Sequence, residues 1–501
     1  MDKGDTKKNR DVEIAVDVDE AKKDKALALL TAQNLQFDHN SPEAKAVLRK
    51  IDTRIVPMVL SVYVIMLVDK NSLSFANIMG IKQFTGITAS QYSWLGSIVY
   101  FGYLAGEIPV TFFMQRLPLA RFFSIMVIVW GAIVCFHSAC TNFAGLMTVR
   151  FLLGMIEVCT APVVIMILGS WYSKEEQVSR VAIWYTSSGW GNVFGGFFAW
   201  CIYHTETFRW QGLFLFEGLL TCGMGVILYF FLAASPTDAK WLSDKEKAIA
   251  LERCRNNRTG TEIWRFNKAQ LIEAFCDPRF YIIFLILVST GLPNGGITVF
   301  GPSIIAQFGF TPDQTTLLSM APGGAAVIGT LVALIVAKYT NRIIGGVYIL
   351  LISCVGVIMM LAMSPEHYLV RYGGYILTLQ FPICVLFVVT LMTAGIGGST
   401  KKLAFGASYQ LGYTVGNIIG PQTFRQKDAP NYYTAKYTML AFLILTMVLI
   451  TSMGMIHWLW NKKRDKQAAL DMQNGVVHVT IENEEFADLT DFQIRSFRYP
   501  I

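Results

Sequence analysis

The chain is dominated by long apolar runs, each near the length an α-helix needs to cross a bilayer, about 20 residues. They lie near 55–79, 91–114, 119–140, 143–170, 180–202 and 212–233. A polar stretch at 234–278 interrupts them, and they resume near 280–307, 314–337, 343–363, 371–395, 404–424 and 435–460. Inside hydrocarbon every backbone N–H and C=O must be satisfied within the structure, so runs this long are expected to be helices. The expectation is an all-α integral membrane bundle of about twelve spans in two six-helix halves. The chain then divides into a polar tail at 1–54, a first half at 55–233, a central loop at 234–278, a second half at 279–460 and a tail at 461–501.

Composition narrows the function classes. Charged residues make up only 15% of the chain, against about 25% in soluble proteins. The net charge of +7 is modest, and the cations sit between apolar runs rather than on one soluble face, which argues against nucleic-acid binding. Nine cysteines are scattered with no C-x-x-C or Cys/His metal spacing. They read as small buried apolar groups, and no metal or cofactor is expected. No nucleophile–base pair or phosphate loop stands out, so an enzyme is not expected. The first fifty residues are polar, so no secretory signal is read there, and the first apolar run is expected to start insertion and be retained.

Lysines and arginines mark the side of each loop. Arg116 and Arg121, Lys174 and Arg180, Lys338 and Arg342, Lys401 and Lys402, the central loop and Lys462-Lys463-Arg464 fall on one side. The other side is poorer, with Lys82, Arg209 and Arg371, although its last loop carries Arg425 and Lys427. Both termini and the central loop are therefore expected in the cytoplasm. The sequon Asn257-Arg258-Thr259 falls in that loop and is expected to be unglycosylated. The halves also resemble each other. Gly191-Asn192-Val193-Phe194-Gly195 in span five matches Gly416-Asn417-Ile418-Ile419-Gly420 in span eleven, and spans two and eight begin near Gln91 and Gln314. A duplicated unit would place substrate near the midplane between the halves.

A charge at bilayer depth costs at least about 2.5 kcal/mol, so such residues face protein or water and are functional candidates. All those expected here lie in the first half: Asp69, Lys70, Glu107, Arg150, Glu157 and Glu217. Spans seven to twelve are expected to hold almost no interior charge, only neutral groups such as Asn294, Gln380, Tyr409, Gln410, Asn417 and Gln422. Arg150 and Glu157 are nearly two helical turns apart, so they share a face about 10 Å apart along the axis. Arginine keeps its charge and can hold an anion. A buried glutamate has its protonated form favoured and can carry a proton. The bland alternative for both is an ion-pair network locking helices. Lys70 is the other candidate cation, against a local pair with Asp69 or Glu107. Glu107 fits either a proton carrier or a structural partner, and Asp69 reads first as a structural partner. Glu217 reads as structural. Asn294, Tyr409, Gln410 and Asn417 are candidate neutral substrate contacts, although packing explains Tyr409 and Gln410 better. Pro293-Asn294-Gly295-Gly296 is expected to interrupt span seven, as a hinge or as a packing kink.

At these residues the chain resembles the major facilitator superfamily, and within it the fungal anion:cation symporters of the allantoate permease type. The resemblance is carried by Leu67-Val68-Asp69-Lys70-Asn71-Ser72-Leu73 and by Arg150-Phe151-Leu152-Leu153-Gly154 with Glu157. It continues through Trp171-Tyr172-Ser173-Lys174-Glu175-Glu176-Gln177 with Arg180, and Gly416 to Phe424. The tail adds Asp488-Leu489-Thr490-Asp491 followed by Phe497-Arg498-Tyr499. It implies proton-coupled uptake of a small organic anion or related nutrient; substrates in the group include allantoate, ureidosuccinate, vitamin carboxylates, cysteine and small peptides. It also implies roles for Arg150, Glu157 and a cation at Lys70. This chain departs from the wider family with Lys70 in place of arginine and Ser72 in place of asparagine, and lysine lacks the bidentate grip on carboxylate. The expected partners are an anionic or zwitterionic small molecule, protons and the lipid of a fungal plasma membrane, with a functional monomer. Efflux of a drug or metabolite is the competing function, disfavoured by the absence of proline in span five and of the usual aspartate in Gln115–Arg121. A non-transporting sensor is disfavoured by short tails without a signalling domain.

Overall fold

The computed structural model describes residues 41–173, 176–177, 180, 183–184, 186–205, 209–254, 267–429, 431–473, 488–494 and 497–500. The first forty residues, Lys174, Glu175 and the sequon at Asn257 lie outside them. Among the described residues every regular element is helical.

Among the described residues ten helices, some with a short break, are long and apolar enough to span a membrane: Pro42–Ile78, Ala89–Met114, Leu119–Ala139, Phe143–Trp171, Arg209–Phe231, Pro278–Ala306, Pro312–Tyr339, Arg342–Ala362, Tyr368–Gly395 and Tyr433–Leu470. They correspond to spans one to four, six to ten and twelve. The other two expected spans are present as Ser187–Tyr203 and Ser399–Ile419. The first is short, at 17 residues. The second is diluted by Lys401, Lys402, Ser408, Gln410 and Asn417. Both lie against other helices where close approach matters more than hydrophobicity.

The G-N-x-x-G motifs explain that approach. A Cβ on Gly191 would lie 2.5 Å from that of Leu67 in span one, and one on Gly416 would lie 2.5 Å from the Val288 carbonyl of span seven. The span five–span one contact of the first half thus recurs as span eleven–span seven in the second. Gln91 and Gln314 likewise have matching roles. Thr88 with Gln91, and Thr311 with Gln314, form capping boxes that satisfy the free N–H groups opening spans two and eight.

The expected break in span seven is absent: Pro278–Ala306 is one helix through Pro293. Its glycines serve packing instead. A Cβ on Gly291 would come within 2.8 Å of the Tyr413 carbonyl, and one on Gly295 within 2.6 Å of that of Asn417. Spans four, eight and ten, read as continuous, are broken at Val158-Cys159, Ser319-Met320 and Leu379 to Pro382. Each break precedes or includes a proline (Pro162, Pro322, Pro382), whose missing N–H frees the carbonyl four residues back.

The second half is also not free of buried charge. Arg279 and Lys401 are fully buried, and Arg371 and Lys436 nearly so. All four sit at span ends, where the sequence reads as loop anchors. Arg279 and Lys401 are covered by the C-terminal segment, which folds back over the face that carries the termini. The Asp491 carboxylate there accepts from Arg279 Nη2 at 2.6 Å, Lys401 Nζ at 2.8 Å and Tyr499 OH at 3.0 Å. Span twelve, Tyr433–Gln473, is 41 residues long, about twice what a bilayer needs, and presents His457, Asn461 and Arg464 on one face. Arg464 donates to the carbonyls of Asp491 at 2.6 Å and Ile494 at 3.1 Å, and Asn461 Nδ2 donates to that of Tyr499 at 2.9 Å.

Candidate functional site

A narrow cavity lies where spans one, two and four of the first half meet span seven of the second. It is lined by Lys70, Tyr100, Arg150, Glu157 and Thr298, with Leu73, Gly96, Val99, Leu153, Gly295 and Val299 around them. Its volume is about 20 Å³, room for about one water molecule. An organic anion enters only if the halves move apart.

Span four delivers the ionisable pair. Its first segment, Phe143–Glu157, opens on an Asn142 cap that accepts from Gly145 N at 2.8 Å. Arg150 and Glu157 both point inward, 3% and 4% exposed. Nε and Nη2 of Arg150 and Oε1 of Glu157 have no hydrogen-bond partner. Among the described residues neither Arg150, Glu157 nor Lys70 forms an ion pair. The locking network set against them in the sequence reading is therefore not formed in this conformation.

Lys70 faces aromatic hydroxyls rather than Asp69 or Glu107. It donates to Tyr413 OH at 3.4 Å and lies 5.1 Å from the Tyr100 ring centre and 5.6 Å from that of Tyr413. Tyr413 OH donates onward to Asn294 Oδ1 at 3.1 Å, which connects Asn294 to the site through one intermediate. Asp69 faces away from the cavity. It accepts from Thr221 Oγ1 of span six at 3.2 Å, beside Glu217, which accepts from Ser72 Oγ. Glu107 is half-buried farther along span two and does not line the cavity. Asn417 is buried in the span seven–eleven interface, its Nδ2 donating to the Tyr413 carbonyl at 2.8 Å. Tyr409 packs against the core, one turn nearer the termini than Tyr413, and Gln410 lies beside it outside the cavity lining.

Sequence reasoning passed over Tyr100, Tyr413 and Thr298. Tyr103, one turn from Tyr100, neighbours the Glu157 carboxylate. Tyrosines spaced three apart on a buried helix face were the available signal. Among the described residues no group of three His, Cys, Asp or Glu side chains could hold a metal ion.

The halves are joined by hydrogen bonds from the level of Lys70 toward the face opposite the termini. Ser97 Oγ donates to the Ile418 carbonyl at 2.7 Å, and Tyr92 OH to that of Val299 at 2.9 Å. Asn77 Nδ2 donates to Ser303 Oγ at 2.8 Å. That face is closed over the cavity.

A twelve-helix design with a central site between two similar halves is that of a secondary transporter. The chain belongs to the Major Facilitator Superfamily, whose family model matches residues 59–421. It is 31% identical to the allantoate permease of Saccharomyces cerevisiae over 95% of this chain and 90% of that protein. It is 32% identical to a thiamine pathway transporter of the same yeast over 90% of this chain and 86% of that one. An uncharacterized transporter of Schizosaccharomyces pombe is 32% identical over 94% and 92% of the two chains. In fold it matches the D-xylose-proton symporter with a TM-score of 0.60 at 12% identity, over 79% of this chain and 96% of that one. A bacterial homolog of the human lysosomal transporter Spinster matches with a TM-score of 0.59 at 14% identity, over 83% and 96%. The protein is thus a multi-pass membrane transporter of small molecules and not an enzyme.

Proposed function

We propose that this transporter imports a small organic anion together with protons. The observation that carries the reading is the cavity wall of buried Arg150 and Glu157 with half-buried Lys70, three ionisable groups with no ion pair among them. With Glu157 ionised the wall carries two cations and one anion; with Glu157 protonated it carries two cations alone. An anion therefore binds better to the protonated site, and a bound anion in turn favours protonation. Linkage makes these two effects equal. Loading both together, and releasing both on the other side, is symport.

Residues 55–233 and 279–460 act as the two moving halves in this reading, joined by the loop at 234–278. Both tails and that loop face the cytoplasm of a fungal cell, the membrane is the plasma membrane, and the monomer is the working unit. The closed face is then the extracellular one, and import requires the Ser97, Tyr92 and Asn77 bonds to open. Allantoate and similar carboxylates are the first substrates to try, a choice supported by the 31% identity to an allantoate permease. Asp69 and Glu107 serve as secondary proton-coupling groups, Lys70 and Arg150 as the anion contacts, and Asn294, Tyr409, Gln410 and Asn417 as neutral contacts reached as the halves rearrange.

Uptake of labelled allantoate and small carboxylates by cells expressing the protein is expected to rise at acidic external pH and collapse with an uncoupler. Accumulation indifferent to both would reject the symport reading, and energised extrusion would reverse its direction. Lys70→Gln removes one charge-assisted contact of about 1.5–3 kcal/mol. The expected result is substrate affinity weaker by roughly tenfold to a hundredfold for an anion; unchanged affinity would remove Lys70 as counter-ion.

A further inference from the structure

Two cations of the second half are buried without a counter-charge. Arg371, in the first turn of Tyr368–Thr378, is 3% exposed, and Lys436, in the first turn of Tyr433–Gln473, is 1% exposed. They come from different spans and converge on one ring: Arg371 Cζ lies 4.9 Å and Lys436 Nζ 5.7 Å from the centre of Phe308. Arg371 Nη2 donates to Asn431 Oδ1 at 3.3 Å. Arg371 Nε and Lys436 Nζ have no hydrogen-bond partner. Among the described residues no carboxylate forms an ion pair with either. Asp428, in the turn just before span twelve, keeps its own Oδ2 buried and unpartnered.

An ammonium removed from water beside a guanidinium is strongly unfavourable, and the cost is relieved either by loss of its proton or by an anion that completes the site. The phenyl face compensates only in part. Helix polarity adds to the problem, since the first turn of a helix disfavours cations and attracts anions. The exposed Arg425 and Lys427 lie on the same face. They form the basic loop that departs from the Lys/Arg distribution of the other loops there. We propose that Arg371 and Lys436 hold a small anion, a carboxylate or inorganic oxyanion, at the mouth of the second half on the face opposite the termini. The site is separate from the cavity of Lys70 and Arg150, so it stands whether or not the transported species is anionic. Cations grouped at a mouth also raise the local anion concentration.

The test is thermal unfolding of the full-length protein in phosphatidylcholine nanodiscs, with inorganic phosphate replacing a bulky sulfonate at constant ionic strength. The midpoint is expected to rise saturably with phosphate. Lys436→Met should abolish that rise and yet increase the phosphate-free midpoint, because it removes an unpaired buried cation. Arg371→Gln should also abolish the rise, and Arg150→Gln should retain it. Absence of a rise in the wild type, or a full rise in both Lys436→Met and Arg371→Gln, would overturn the proposal. A rise seen only with anionic phospholipid present would assign the site to a lipid headgroup and overturn it for free anions. Destabilisation by Asp428→Asn without any phosphate response would make Asp428 an internal counter-ion, with the same consequence.

Discussion

Asp491→Ala is expected to release residues 488–494 and 497–500 from the termini-bearing face and to cost about 3–5 kcal/mol of local stability, the typical effect of breaking a buried ion pair from one side. Arg279, Lys401 and Asp491 are all fully buried. Asp277 is the other fully buried anion in the cluster, 2.6 Å from Arg279 and 3.1 Å from Lys401. With the partly exposed Glu273, 2.9 Å from Lys401, it still balances the two cations in number, but neither carboxylate replaces the Asp491 bonds to Arg279 Nη2 and Tyr499 OH. Burial by itself would raise the Asp491 carboxyl, but Arg279 and Lys401 outweigh it and hold it below the ordinary carboxylate range. A depressed carboxyl stabilises above its unfolded value and loses that contribution as pH falls through the folded one. Docking is therefore expected to be complete at neutral pH and to fail only below about pH 4. Protease protection of the tail, measured against pH in the wild type and the variant, reads both effects. Asp488→Asn is the control, because its hydrogen bonds to Ser399 and Gln270 are partly exposed and asparagine keeps an accepting oxygen, so a smaller loss is expected. Equal protection of wild type and Asp491→Ala would show that the tail is held without the Asp491 carboxylate, by the Arg464 and Asn461 bonds to its backbone.

This segment also shows what the sequence could and could not say. Asp488 to Asp491 and Phe497 to Tyr499 stood out as a family signature, but nothing in the tail's composition indicates burial. Its partners are Arg279 and Lys401, which sit at span ends and resemble interfacial anchors. They become buried only because a segment roughly ninety residues beyond Lys401 covers them. Arg371 and Lys436 were passed over for the same reason. By contrast Lys70, Arg150 and Glu157 interrupt apolar runs, where the cost of a buried charge singles them out without a structure. Asp69 has the same signal yet faces span six, since adjacent residues on a helix point about 100° apart. The Pro/Gly rule misread span seven because glycine relieves crowding as readily as it bends a helix. Breaks occur instead at or just before Pro162, Pro322 and Pro382.

Glu157→Gln is expected to abolish proton-driven accumulation while sparing exchange. Each pH unit across the membrane is worth about 1.4 kcal/mol, a factor of ten in accumulation, per coupled proton. The wild type is thus expected to concentrate substrate roughly tenfold per unit of gradient if one proton is carried. Glutamine imitates the protonated acid in shape and charge, so the cavity wall keeps Lys70 and Arg150 without their titrating neighbour. Anion binding should persist and lose its pH dependence, and accumulation should fall to simple equilibration. Counterflow in proteoliposomes preloaded with unlabelled substrate should continue, since exchange requires reorientation of the loaded carrier but no net proton release. A purely structural Glu157 predicts the opposite pattern, with lower thermal stability and counterflow lost in parallel with uptake. The two outcomes separate a proton carrier from a packing residue, and accumulation unchanged by the substitution would remove Glu157 from the mechanism.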